Sequence, residues 1–222
     1  MRLFVTGTGT GVGKTVIAAA LVRALGADYW KPIQSGARGI EDPESDTYMV
    51  RTLAGLTPER IHEPACTFAA PLSPHEAAAM EGREISLGAI RPPATKRPLV
   101  AEGAGGVLVP LSPGPRAKTT QIYMIDLMAQ LNFPIILVAE NILGTINHTL
   151  LSLEALRARK LEIVGVVLND GDKGGDMTTN GRAIEQFGQT KVLYEMPTLT
   201  RLDRSALDRV AGDLSQRLEA FA

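Results

Sequence analysis

Short apolar runs closed by glycine or proline alternate along the chain with longer segments whose apolar residues recur every three or four positions. The short runs Leu3–Val5, Asp28–Pro32, Leu99–Ala101, Pro134–Ala139, Ile163–Leu168 and Val192–Met196 read as strands. The periodic segments Val16–Val22, Thr47–Ala54, Glu76–Glu81, Thr119–Leu131, Thr149–Arg159 and Asp203–Phe221 read as helices. Pro134–Ala139 is apolar almost throughout, as a strand covered on both faces must be. Residues 56–75 are rich in proline and are expected to be irregular, and Gly171–Gly175 reads as a polar loop. The alternation predicts an α/β fold, a doubly wound, mostly parallel sheet with helices on both faces and right-handed crossovers. One domain is expected over residues 1–222.

Composition narrows the function classes. Hydrophobic residues make up 45% of the 222 positions, enough for a core. Net charge is −1 and aromatics are 5%, so neither a basic footprint nor a base-stacking surface for nucleic acid is expected. The single cysteine, Cys66, has no internal disulfide partner and reads as a small core residue in a reducing compartment. The first strand begins almost at the N-terminus, and no apolar run reaches the length of a membrane span. A soluble, cytoplasmic protein is expected, with no membrane partner.

Candidate chemistry sits just after the strands. Gly7-Thr8-Gly9-Thr10-Gly11-Val12-Gly13-Lys14-Thr15 lies between the first strand and the first helix. That is the setting of a phosphate-binding P-loop, in which glycines let backbone N–H groups surround phosphate oxygens at a helix start. Lys14 would reach the β- and γ-phosphates and Thr15 would ligate Mg²⁺. The common spacing would place glycine at position 8, where Thr8 stands. A P-loop NTPase-like sheet follows from this context. Lys31, Glu102 and Asn169 also follow strands, and in a parallel sheet these ends share one edge, where ligands bind. Glu102 is followed by Gly103-Ala104-Gly105-Gly106, a carboxylate beside backbone that another molecule can approach closely. Taken alone, Lys31 reads as a solvated strand-end charge, Asp46 as an acid favouring its helix N-terminus, and His75 as a helix-start hydrogen-bonding group.

In combination these segments resemble the dethiobiotin synthetase family. The motifs that carry the resemblance are the P-loop, Lys31-Pro32…Ser35-Gly36, Ser45-Asp46, Thr67-Phe68…Pro71…Ser73-Pro74-His75, Glu102-Gly103-Ala104-Gly105-Gly106, Gly144…Ile146-Asn147-His148 and Asn169-Asp170. They stand in the family's order, across essentially the whole chain, and the variant P-loop spacing matches too. The resemblance implies ATP- and Mg²⁺-dependent carboxylation and ring closure of 7,8-diaminopelargonic acid with CO₂. It implies Lys14, Lys31 and Thr10 as catalytic residues, and Thr15, Asp46 and Glu102 around the metal. ATP would be held by Gly11, Val12, Gly13, Lys14, Thr15, Asn169, Pro197, Thr198 and Leu199. The carbamate and diamine would be held by Thr10, Lys31, Ser35 and Gly105, and by Gly144, Thr145, Ile146 and Asn147 of a second subunit in a homodimer. The sequence departs from the family near Asn180-Gly181, where a substrate-binding tyrosine is absent. Asp203 is the nearest counterpart of the family's ribose-binding glutamate. Another ATP-dependent ring- or amide-forming ligase is the neighbouring reading. The chromosome-partitioning ATPases carry an extra lysine early in the loop, and positions 7–12 contain none.

Overall fold

The computed structural model describes residues 1–112, 121–171, 179–199 and 201–218. Among these residues the main sheet has seven strands, β1 (Arg2–Gly7), β2 (Asp28–Trp30), β4 (Ile61–His62), β6 (Leu99–Glu102), β7 (Ile135–Glu140), β8 (Ile163–Asn169) and β9 (Val192–Met196). Their order is β4-β2-β6-β1-β7-β8-β9, and every pairing in it is parallel. A second, two-stranded parallel sheet joins β3 (Ile33–Ser35) to β5 (Cys66–Phe68). The helices are α1 (Lys14–Leu25), α2 (Asp46–Ala54), α3 (Pro74–Met80), α4 (Met124–Leu131), α5 (Thr145–Ala158), α6 (Thr179–Gly188) and α7 (Arg204–Leu218).

Side chains that alternate along each strand feed two cores. Leu3 and Val5 of β1 join Val100, Ile136 and Val138 on one face, beneath α1, α2 and α7. Phe4 joins Ala101, Ile135 and Leu137 on the other face, beneath α3, α4, α5 and α6. Both faces of the parallel sheet are therefore covered, as the near-continuous apolar strands require.

Several sequence boundaries are corrected. Residues 56–75 hold two short strands rather than an irregular stretch, and Ile33–Ser35 pairs with Cys66–Phe68 instead of forming only a loop. Helix α6 has no counterpart in the sequence reading. Only Asn180, Gly181, Ile184 and Gly188 of its ten residues are buried, too sparse an apolar stripe to register. Helix α4 starts at Met124, not at 119, because Ile122 lies in an extended turn whose Pro110–Tyr123 bridge is antiparallel. The Asp126 carboxylate then accepts from Tyr123 N at 2.8 Å and fixes the helix start. Helix α5 starts at Thr145, four residues before the expected position. Residues 119 and 120, most of the Gly171–Gly175 loop and Phe221 lie outside the described residues.

Candidate functional site

The carboxyl ends of β1, β2 and β6 converge on a cavity of about 590 Å³. Thr10, Gly11, Gly13, Lys14, Thr15, Lys31, Ser35, Asp46, Glu102 and Gly105 all lie on its wall. The P-loop forms one side. Thr8 N still donates to Val138 O at 2.9 Å, so position 8 continues the β1–β7 ladder and the open loop begins at Gly9. That accounts for the displaced glycine. Gly13 precedes α1 with φ 95°, and a Cβ there would stand 2.3 Å from Asn169 Nδ2. Both the left-handed backbone and the close amide demand glycine.

Four charged side chains meet at the cavity floor. Lys31 follows β2 and is buried. Its Nζ lies 2.9 Å from Glu102 Oε1 and 2.8 Å from Asp46 Oδ2. Burial alone would depress the Lys31 pKa, but Glu102 and Asp46 outweigh it and raise the pKa, so the ammonium is held charged. Asp46 is shifted the other way. Its desolvation is overcome by Lys31 and by the Thr15 hydroxyl, and its pKa falls. Lys14 Nζ donates to Gly9 O at 2.7 Å, and desolvation lowers its pKa to about 8, with Lys31 adding repulsion against the pull of Glu102 and Asp46. Asp46 is the first residue of α2, whose N-cap is Ser45. Ser45 Oγ accepts from Tyr48 N at 3.0 Å. The cap is thus Ser45, and the Asp46 carboxylate is turned into the cavity.

Thr15 Oγ1 lies 2.9 Å from Asp46 Oδ1 and 3.0 Å from Glu102 Oε1. One hydroxyl proton cannot serve both acceptors. The Thr15 hydroxyl thus has a carboxylate oxygen about 3 Å away on each side, a set of hard oxygen donors that would suit a small divalent cation. Among the described residues no cluster of three His, Cys, Asp or Glu side chains could hold a metal ion. A hydroxyl with two carboxylates nevertheless suits Mg²⁺, which keeps few protein ligands and takes phosphate and water oxygens for the rest. Ser35 Oγ, on the same wall, is buried and has no hydrogen-bond partner among the described residues, a hydroxyl that a polar ligand group would satisfy.

A family model described as AAA domain matches residues 1–206. The ATP-dependent dethiobiotin synthetase BioD of Rhodopseudomonas palustris is 46% identical over 206 residues, which are 93% of this chain and 90% of that protein. BioD of Paramagnetospirillum magneticum is 48% identical, over 89% of this chain and 88% of that one. The chain belongs to the dethiobiotin synthetase family. The biotin biosynthesis bifunctional protein BioCD of Bordetella avium is 47% identical over 93% of this chain, which spans only 41% of that longer protein. Among solved structures, the cell division ATPase MinD of Pyrococcus furiosus aligns with a TM-score of 0.59 at 17% identity, over 100% of this chain and 99% of that one. A Cyanothece McdA–ATP complex aligns at 0.58 and 13% identity, over 99% of this chain and 94% of that one. At such identities the likeness is one of fold. It is the P-loop fold that places the family's motifs at one sheet edge.

Not every residue that the family resemblance singles out reaches the cavity. Val12 is buried, with its carbonyl 3.2 Å from Asn169 Nδ2. Asn169 closes β8, and Pro197, Thr198 and Leu199 directly follow β9, the neighbouring strand, so these four share the flank of the loop. Gly144, Thr145, Ile146 and Asn147 form the start of α5, away from the 590 Å³ cavity. Gly144, at φ 94°, is the N-cap; Asn147 is exposed within the first turn and does not cap its own helix. Beside this turn a second cavity of about 410 Å³ is lined by Thr10, Val109, Leu108, His148 and Leu151, and Thr10 and Val109 line both cavities. Asp203 Oδ1 accepts from Ala206 N at 3.0 Å and caps α7. His75 Nδ1 pairs with Ser73 Oγ at 3.0 Å, as expected of a helix-start histidine. Cys66 is half-buried and packs on the second core; burial raises its thiol pKa, which disfavours a nucleophilic thiolate.

Sequence reasoning missed Tyr29, whose hydroxyl donates to Glu102 Oε2 at 2.8 Å inside the core. An apolar strand run gives no sign that one hydroxyl seeks a carboxylate 73 residues away. It also missed Met49 and Leu72, which with Pro71 of the family motif form an apolar part of the cavity wall.

Proposed function

We propose that this chain is an ATP-dependent dethiobiotin synthetase. One amine of 7,8-diaminopelargonic acid takes up CO₂ as a carbamate. A carbamate oxygen attacks the γ-phosphorus of ATP, and ADP leaves. The second amine then attacks the carbonyl carbon of the carbamic–phosphoric anhydride, the ring closes, and phosphate leaves. The observation that carries this reading is the pair of buried ammonium groups, Lys14 and Lys31, on one cavity wall with the P-loop. Joining two anions needs positive charge fixed before they arrive, and a buried, hydrogen-bonded ammonium requires no reorganisation. Lys14 and the P-loop N–H groups receive the triphosphate; Lys31, Thr10, Ser35 and the Gly105 backbone face the carbamate and the diamine. Thr15, Asp46 and Glu102 would hold Mg²⁺, which supplies charge neutralisation for the transferring phosphoryl group. No protein nucleophile is required, because positioning dominates phosphoryl transfer. Asn169 and the Pro197–Leu199 segment receive the base.

The same reading includes a homodimer. Gly144–Asn147 lie outside the cavity at an exposed helix start, beside the exposed apolar side chains Leu108, Leu143 and Leu151. Free N–H groups there suit the diaminopelargonate carboxylate of a neighbouring site. The enzyme is assayed with diaminopelargonate, bicarbonate, Mg²⁺ and ATP, with detection of dethiobiotin by mass. Phosphate release that does not depend on the diamine would overturn the assignment. Mixing Lys14→Ala with Asn147→Ala should restore activity, because one hybrid site draws both intact residues from different subunits. A monomer in light scattering would remove the shared site.

A further inference from the structure

Asn141, directly after β7, holds together two segments far apart in sequence. Its Nδ2 donates to Asp170 Oδ1 at 2.7 Å, and its Oδ1 accepts from Asn180 Nδ2 at 2.9 Å. Its backbone N donates to Asn169 O at 2.7 Å. Asn141, Asn169 and Asn180 are each only 8% exposed, so the Asn141–Asn180 bond forms away from water, where an unmade bond is expensive, and the bond to the half-buried Asp170 lies at its edge. Asp170 precedes, and Asn180 follows, the connection between β8 and α6, and Asn141 clasps the two.

The clasp bears on the β8–β9 flank of the P-loop. Asp170 N donates to Met196 O at 3.0 Å, and Pro197 is the next residue. Gly171 N donates to Asn169 Oδ1 at 3.1 Å, which leaves the Asn169 amide nitrogen directed at Val12 O. Fixing Asp170 therefore fixes Asn169 on one side and the Met196–Pro197 turn on the other. We propose that Asn141, oriented by Asn180 and acting through Asp170, is a positioning residue that sets the spacing of the nucleotide-base site between Asn169 and Pro197–Leu199. This rests on the assignment of that site to the base of ATP under the proposed function.

The test compares ATP with inorganic tripolyphosphate, which carries the charge but no base, in binding to the full chain by calorimetry. In Asn141→Val and in Asn141→Asp the clasp is broken, the latter by setting two carboxylates against each other. ATP binding is expected to weaken about 10-fold in both, while tripolyphosphate binding stays within twofold of wild type. Combining Asn141→Asp with Asp170→Asn reverses the donor and the acceptor of one bond and keeps the Asn180 bond. It should recover most of the lost ATP affinity. A merely structural role would weaken both ligands together, or would track thermal stability alone, and would show no recovery in the double variant. Those outcomes overturn the proposal, as does equal binding of ATP and tripolyphosphate by the wild-type chain. If wild type binds ATP more tightly than tripolyphosphate yet makes no dethiobiotin, the synthetase reading fails while the clasp is still judged by these affinities.

Discussion

Asp28 begins β2 and Lys31 follows its last residue, so the two ends of one three-residue strand carry two buried charge clusters of opposite design. At the amino end, Asp28 Oδ2 accepts from Thr95 Oγ1 at 2.6 Å and faces His62 Nε2 at 3.2 Å. Among the described residues its Oδ1 has Arg60 and Arg97, each with Nε 3.6 Å away, and makes no hydrogen bond. Arg97 is half exposed, and neither cavity described above is lined by this cluster. Asp28 ties β2 to β4 and to the approach to β6, and Arg97, half exposed, carries its charge outward to water. At the carboxyl end, Lys31 and Glu102 are almost wholly buried and bonded at 2.9 Å beside the cavity. Desolvation is opposed by short bonds there, and charge is left oriented toward a ligand. A buried carboxylate among cations marks a site only when the cations face a cavity rather than bulk solvent.

The sharpest way to break the comparison is Lys14→Ala. Lys14 is the first residue of α1 and its side chain lines the cavity rather than either apolar core, so the variant should fold as wild type does. Its ring-closure rate should fall by at least 100-fold, a loss of roughly 3–4 kcal/mol of transition-state stabilisation. Steady-state dethiobiotin formation measures it, and retention of more than half the wild-type turnover would sink the P-loop assignment. Asp28→Ala should do the reverse. Removing this acceptor strands Thr95 and the partly buried Arg60, at a cost of about 2–3 kcal/mol in stability. Urea unfolding should show that loss, while turnover per folded molecule stays within twofold of wild type.

A third difference is read in pH. The folded state releases the Lys14 proton at about 8, whereas the unfolded chain keeps it to 10.5. Between those values the unfolded state holds more protons, so stability rises with pH. Tyr29 is pushed well above 10, first by burial and then by Glu102, and acts in the opposite sense above pH 10, so the useful window is 8 to 10. Across it the ligand-free wild type should gain roughly 2 kcal/mol relative to Lys14→Met, measured as the difference in urea stability at the two ends. Equal pH slopes would show that Lys14 keeps an ordinary lysine pKa.

The carboxyl-end cluster was largely legible in the sequence because its residues stand at fixed places relative to strand ends. Glycine followed by lysine after Leu3–Val5, and Glu102 before three glycines, announce their edge of the sheet without any knowledge of packing. The amino-end cluster was not legible: Asp28, His62, Thr95 and Arg97 share no motif, and only the parallel pairing of β2 with β4 and β6 brings them together. The same holds for β3, β4 and β5, strands of two or three residues that are too short to show a period, and for Asn141 and Asn180, polar residues whose partners the fold supplies. Its immediate surroundings make Asp46 a helix-start acid, and it does stand in the first turn of α2; the capping bond is made by Ser45, and the Asp46 carboxylate contacts Lys31 and Thr15.

Tyr29 lies between the two clusters on the same strand, and its replacement tests whether it belongs with Asp28 or with Lys31. Its hydroxyl is the partner of Glu102 Oε2, while Lys31 and Thr15 occupy Oε1. Tyr29→Phe keeps the ring that fills the core and leaves one oxygen of a fully buried carboxylate unmatched. The cost should be about 1 kcal/mol, a fall of roughly 2–4 °C in thermal midpoint for a chain of this size. If Tyr29 only supports the core, that is the whole effect. If it holds Glu102 for a metal, the Mg²⁺ concentration needed for half-maximal stabilisation by ATP rises several-fold as well, because a carboxylate with one free oxygen can turn away from Thr15 and Asp46. Thermal midpoints titrated with Mg²⁺ at saturating ATP separate the two. An unshifted Mg²⁺ curve beside a lowered midpoint would place Tyr29 with Asp28, as a tie within the sheet rather than a support of the site.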